Sequence, residues 1–391
     1  MSTVKENLSI LKVIKPLLKR EMPPPGFIPD SILNGVATFS SARGKISHLS
    51  NLERLITTLC HKEPDHVPSS SFVMSAARHL VNASFPEFAL KPAITADILY
   101  TVFEQIGGEL IIPLIDLSVE AADFGQKIIY PENSTPFPDY SEPLIKDVSD
   151  YRKIKRIDFR NAIRMQSIVE VCRILVKKVG LRGIVTGWCF CPLEILNMMR
   201  GAKNFFRDCI NYPQEVKAGC EIVTDVLMEF VDAQLDVGVP VISFDTLFAS
   251  WNGVRKSLWE ELEGTFVNDL SNLVHKRGAL VAIHNCGNGI YFDSLIRFMA
   301  PEIISYAHLP DDCSNNKELK NRYGDQVVLM GNLDTAFLSY MTPMEIMDEC
   351  KKLINDLADG GGFILAPGCE YPPNLPLDNA RAIIKAAQLH G

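Results

Sequence analysis

Apolar residues in this chain fall in short, nearly continuous runs separated by longer stretches of helical period. Eight such runs occur, at 66–74, 109–115, 182–188, 239–245, 278–286, 302–308, 326–332 and 361–369. Most are rich in Val, Ile, Leu and Ala with little polar alternation, the pattern of strands buried on both faces. Between them, stretches such as 215–235, 258–277 and 343–358 repeat apolar residues at helical spacing. Eight strands alternating with helices predict an α/β protein, a (β/α)8 TIM barrel. An open doubly wound sheet is the competing arrangement. It is weakened because no glycine-rich nucleotide loop follows the first run.

Residues 1–50 stand apart. They hold a short amphipathic stretch, the breaker Pro23-Pro24-Pro25-Gly26, and a Ser- and Gly-containing tract at 38–47. The expected division is an N-terminal extension over 1–50 and a barrel over 51–391. Residues 130–142 are rich in Pro and acids and read as a surface loop.

Composition narrows the choice further. The chain has 391 residues and a net charge of 39 − 47 = −8. That acidic balance argues against a nucleic-acid partner. No run reaches 18 apolar residues, so no membrane span is expected. The start of the chain lacks a signal-peptide pattern. A cytoplasmic location follows, where the ten cysteines are thiols or metal ligands rather than disulfides.

In a barrel of this kind, chemistry sits at the carboxyl ends of the strands. The second run leads into Asp116 and Glu120. The third leads into Trp188, Cys189 and Cys191, and the fourth ends at Asp245. The fifth ends in His284-Asn285-Cys286-Gly287, the sixth at His308, the seventh at Asn332, and the eighth at Cys369-Glu370. Acids, histidines and thiols thus recur at one rim. The sharpest pair is His284-x-Cys286, since residues two apart on a strand share a face. Cys369 could add a third ligand across the mouth. One nitrogen and two sulfurs suit zinc with an open fourth position. The competing reading is that these thiols pack as small hydrophobes. Cys189-x-Cys191 is a rival pair without a nearby histidine. Glu120 and Asp245 are candidates for general acid or base. Trp188, with Phe190, Phe248 and Trp251, could wall a pocket. Asn332 and His308 could contact a substrate.

Three stretches carry a family resemblance: His284-Asn285-Cys286-Gly287, Leu329-Met330-Gly331-Asn332-Leu333-Asp334, and residues 361–369. They resemble the uroporphyrinogen decarboxylase superfamily, in particular its corrinoid-dependent methyltransferase branch. Glu63-Pro64-Asp65-His66-Val67-Pro68 and the stretch 116–121 fit the same branch. The resemblance runs from about residue 50 onward. It implies a (β/α)8 barrel and a catalytic zinc held by His284, Cys286 and Cys369. It implies methyl transfer between a corrinoid, as methylcobalamin, and a zinc-activated substrate. That substrate is a thiol acceptor or a methoxy- or methylamine-type donor. No Asp-x-His-x-x-Gly cobalt-ligand motif occurs, so the corrinoid is expected on a separate partner protein. A homodimer stays open as an assembly. The true decarboxylases carry an arginine-rich motif where this chain has Met74-Ser75-Ala76-Ala77-Arg78, which keeps one arginine. Tetrapyrrole decarboxylation is therefore the alternative activity. A non-catalytic barrel with a structural zinc, closed by Glu120 or Asp245, is the third reading.

Overall fold

The computed structural model describes residue 28 and residues 30–391. The amphipathic stretch and proline breaker expected before residue 27 lie outside the described residues. Among the described residues nine strands are present: β1 (Leu110–Ile111), β2 (Ile128–Ile129), β3 (Phe137–Pro138), β4 (Ile184–Phe190), β5 (Val241–Asp245), β6 (Leu280–Asn285), β7 (Ile303–Tyr306), β8 (Val328–Leu333) and β9 (Phe363–Pro367). Seven form one parallel sheet in the order β1-β4-β5-β6-β7-β8-β9, while β2 and β3 pair antiparallel as a separate ribbon. Every residue of β4, β5 and β9 is buried, which is why these segments read as unbroken apolar runs.

The first run, 66–74, is not a strand. Pro68 has no N–H to give a ladder, and the Ser70 hydroxyl takes the Phe72 N–H at 3.4 Å. The segment nevertheless fills the eighth position. Ser69 makes a parallel bridge to Leu365. Leu365 N donates to Pro68 O and Ser70 N donates to Leu365 O, both at 2.9 Å. On the other side, Glu109 N donates to Ser69 O at 3.0 Å. Residues 68–70 thus tie β9 to the start of β1, and the parallel sheet curls into the (β/α)8 barrel.

A buried ion network locks this seam. Arg54 donates to Glu109 Oε1 at 2.7 Å and to Asp65 Oδ1 at 2.8 Å. Glu109 Oε2 accepts the Ser69 N–H at 2.7 Å. The helix carrying Arg54, Asn51–Leu59, starts with a Ser50/Glu53 capping box. Ahead of it, the helix Asp30–Gly44 joins through an Arg43–Glu53 ion pair at 2.6 Å.

Long helices such as Ile163–Val179, Pro213–Asp236 and Pro343–Leu357 cover the outside of the sheet. The helical pattern at 258–277 is split into Lys256–Leu262 and Gly264–Lys276. At the break, Glu263 turns inward and accepts from Leu193 N and Trp259 Nε1, both at 2.7 Å. Residues 130–142 form more than a loop, since they include β3. Among the described residues, no helix is long and apolar enough to cross a membrane.

The seam makes a direct prediction. Glu109→Ala leaves the Arg54 charge and the Ser69 N–H without their buried partner. A loss of about 3–5 kcal/mol of stability is expected in urea unfolding. A loss below about 1 kcal/mol would show that the seam is not held this way.

Candidate metal centre and active site

Residues paired across a parallel ladder lie side by side on one face of the sheet. β5 pairs Asp245 with His284, and β6 pairs His284 with Ser305 of β7. Asp245, His284 and Ser305 therefore stand in a row. Ser305 Oγ lies 3.1 Å from His284 Nδ1, which orients the ring and leaves its other nitrogen as a donor. The rings of Phe72 and Trp188 pack near the imidazole, with centroids 5.4 and 5.7 Å away.

Cys286 follows β6 on a turn that its neighbour holds. Asn285 accepts the Gly287 N–H at 2.9 Å and donates to Thr246 O. Residue 287 must be glycine, since a Cβ there would lie 2.2 Å from Ser250 Oγ. Cys369 follows β9 in a similar way. Gly368 N donates to Leu333 O at 2.8 Å, and a Cβ on residue 368 would lie 2.6 Å from Ala307 Cα. These turns bring one ring nitrogen of His284 and the two sulfurs within 4.8 Å of one another. Among the described residues, no other three His, Cys, Asp or Glu groups converge as a potential metal site. One imidazole and two thiols are a donor set suited to zinc. The rival pair Cys189 and Cys191 is fully buried and does not join it.

Without a metal, the triad shares its protons unequally. The Cys286 thiol's hydrogen bond holds the Cys369 thiol well below its ordinary range, and His284 assists. Cys286 is pushed up correspondingly, first by that same hydrogen bond and then by burial. Burial works against charge on His284, but the hydrogen bond and charge of Cys369 outweigh it and raise its pKa.

The triad lines a cavity of about 520 Å³ at the carboxyl ends of the strands. Its rim reaches solvent at Leu117, Phe137 and Tyr140. Phe190, Phe206 and Phe248 form much of the wall. Asp245 also lines it, buried, and its carboxyl shares a hydrogen bond with that of Glu194. Burial pushes Asp245 up to about 6, with His284 pulling the other way. Glu120, by contrast, is buried and does not line the cavity. Its Oε1 accepts the Phe190 N–H at 3.0 Å, and burial pushes it up to about 8. It borders a separate void of about 10 Å³ that it shares with Trp188. Trp188, Asn332 and His308 do not line the large cavity. Asn332 faces Asn316 at 3.4 Å, and His308 is exposed.

Several lining residues were not expected. Glu194 caps the helix Pro192–Arg200 and accepts from Cys191 N at 3.0 Å and from Leu247 N. Its C-P-L-E pattern is readable as a capping box, but nothing in it announces a cavity. Glu370, which the eighth run had already placed at the rim, accepts from Ser75 Oγ at 2.8 Å, and burial pushes it up to about 7. Thr135, Phe137 and Tyr140 come from the stretch read as a surface loop.

A family model described as uroporphyrinogen decarboxylase (URO-D) matches residues 50–390. The chain belongs to that family. Within it, the chain is 23% identical over 336 residues to the methylcobamide:CoM methyltransferase MtaA of Methanosarcina barkeri. That match covers 85% of this chain and 96% of the relative. It is 22% identical over 310 residues to uroporphyrinogen decarboxylase of Flavobacterium johnsoniae, covering 77% of this chain and 85% of that one. Among solved structures, a methyltransferase from Methanosarcina mazei superposes with a TM-score of 0.71 at 22% identity. It covers 87% of this chain and 98% of that one. The URO-D barrel is therefore shared, while relatives at equal identity carry different activities.

The unequal thiols of this URO-D chain can be tested directly. In metal-free protein at pH 6, iodoacetamide should label Cys369 before Cys60 and Cys313. All three are partly exposed, but burial pushes the Cys60 and Cys313 thiols up. The thiolate reacts and the thiol does not. Peptide mapping that finds Cys60 or Cys313 labelled first would contradict the assignment.

Proposed function

We propose that the chain is a zinc-dependent methyltransferase. It moves a methyl group between a corrinoid carried by a separate protein and a small substrate bound at the zinc. The observation that carries this reading is the convergence of His284, Cys286 and Cys369 on the floor of an open cavity. Three protein donors facing a cavity is the pattern of a catalytic rather than a structural site. The similarity to MtaA supports it.

Zinc bound there would supply Lewis acidity, keeping a substrate sulfur ionised at neutral pH or easing the departure of an oxygen or nitrogen. The chain's own residues do the rest. Ser305 fixes the ring plane of His284, and Asn285 fixes the turn of Cys286. Two thiolates and a neutral imidazole would match the charge of zinc and favour an electron-rich bound sulfur. Asp245, beside His284 and hydrogen-bonded to the Glu194 carboxyl, exchanges the proton that a substrate heteroatom loses or gains. Glu120 does not line the cavity, and its Oε1 is taken by the Phe190 N–H. The phenylalanine walls exclude water from the reacting carbon. The rim at Leu117, Phe137 and Tyr140 is where a corrinoid protein would meet the cavity.

The decarboxylase alternative needs cations for a polycarboxylate. Arg78, the one arginine kept in that motif, is spent elsewhere. It donates to Ser75 O at 3.0 Å, to Pro373 O at 2.6 Å and to Asn374 Oδ1 at 2.6 Å, and it stacks on Phe85. It does not line the cavity. The non-catalytic alternative needs a fourth protein donor, and among the described residues no further His, Cys, Asp or Glu, Asp245 included, joins the three converging donors.

Protein purified without chelator should carry about one zinc per chain. Cys369→Ala should lose the zinc together with methylcobalamin demethylation in the presence of a thiol. Ser305→Ala should weaken zinc binding by about 10- to 100-fold, read by competition with a chromogenic chelator. Metal analysis that finds no zinc in active protein would overturn the proposal, as would porphyrinogen decarboxylation unaffected by Cys286→Ala.

A further inference from the structure

The cavity wall combines two features of which methyl transfer uses only part, a proton exchanged at Asp245 and water kept out by the rings. The first is acid without counter-charge. Asp116, Glu194, Asp245 and Glu370 all line the cavity, and no Lys or Arg does so among the described residues. Asp116 is neutralised from behind by Arg164. Glu194, Asp245 and Glu370 form no ion pair with any described residue. Buried carboxylates normally sit beside a cation. A bound zinc would not supply it, because the thiolates of Cys286 and Cys369 already balance its two charges. The Glu194 and Asp245 carboxyls share a proton in a hydrogen bond, so this pair carries one negative charge rather than two, and burial raises Glu370 as well; an ammonium among them would supply the counter-charge they lack. The second feature is aromatic. Phe206 and Phe248 stand 5.6 Å apart, and Phe190 faces the same space. Rings and acids around one cavity are the surroundings that hold an organic cation.

We propose, resting on the methyltransferase reading above, that the substrate taken by this cavity carries an ammonium head. Its sulfur or oxygen meets His284, Cys286 and Cys369, while the head lies among the rings and the unpaired acids. A sulfonate or carboxylate in the same place would face like charges in a desolvated site, which costs affinity directly. The cavity therefore selects by charge against anionic thiols.

Three thiols of the form HS–CH2–CH2–X test this at constant shape. X is trimethylammonium in thiocholine, tert-butyl in 3,3-dimethylbutane-1-thiol, and sulfonate in 2-mercaptoethanesulfonate. Binding to the zinc-loaded protein is measured by calorimetry, and methylcobalamin demethylation is measured separately. Thiocholine should bind at least about tenfold more tightly than the tert-butyl thiol, with the sulfonate weakest. Glu370→Gln keeps a carbonyl oxygen for Ser75 while removing the charge, and Phe248→Leu removes a ring. Each should narrow the preference. Equal or tighter binding of the tert-butyl thiol, or tightest binding of the sulfonate, overturns the proposal. Thiocholine preference without methyl transfer would uphold the cation site and defeat the methyltransferase reading. Methyl transfer with the sulfonate preferred would do the reverse.

Discussion

The parallel ladder from β5 to β7 is the constraint on which the site depends. It sets Asp245, His284 and Ser305 side by side, so an acid, a ligand and the group that orients the ligand share one face. A slip of one residue in β6 would turn His284 to the helical side of the sheet. The donors are therefore placed by backbone hydrogen bonds, not by attraction between themselves. The same holds at the strand ends. Gly287 and Gly368 let the chain pass Ser250 and Ala307 too closely for any side chain. Those two approaches bring Cys286 and Cys369 to the histidine.

The electrostatics follow from this placement. Crowding two thiols and an imidazole together in a largely desolvated space makes Cys369 give up its proton at the expense of Cys286. Around them, the cavity gathers acids whose charge is not balanced by any described basic residue. Burial raises Asp245 and Glu370 above the usual carboxylate range, since no Lys or Arg lines the cavity beside them. On our proposal that imbalance is met by a charged substrate, seated above a metal whose own charge the two thiolates balance. The seam at Arg54, Asp65 and Glu109 lies in contrast at the start of β1. There every buried charge is paired, so it serves closure of the barrel and takes no part in chemistry.

Much of the fold was legible because strands buried on both faces leave unbroken apolar runs. Seven of the eight runs are strands of the sheet. The run at 66–74 misled because Pro68 and three serines break the ladder, although the segment still closes the barrel. The triad was legible because a His-x-Cys spacing on a strand dictates a shared face. Other strand-end residues were less readable. Position at a rim does not say which way a side chain points after the strand ends. Glu120 turned to the Phe190 N–H, His308 outward, and Asn332 toward Asn316. Glu194 was hidden for a different reason: its capping role accounts for its place in the sequence, and its position beside the cavity arises only from packing against Leu247. The stretch 130–142 looked like a solvated loop, and only the pairing of β2 with β3 turns it over the cavity.

The central claim is that His284, Cys286 and Cys369 together hold one zinc. X-ray absorption at the zinc edge of the purified protein tests it most directly. The account predicts two sulfur neighbours at about 2.3 Å and nitrogen or oxygen neighbours at about 2.0–2.1 Å, one of them with imidazole scattering. Four sulfurs, or a shell of nitrogen and oxygen alone, would contradict it.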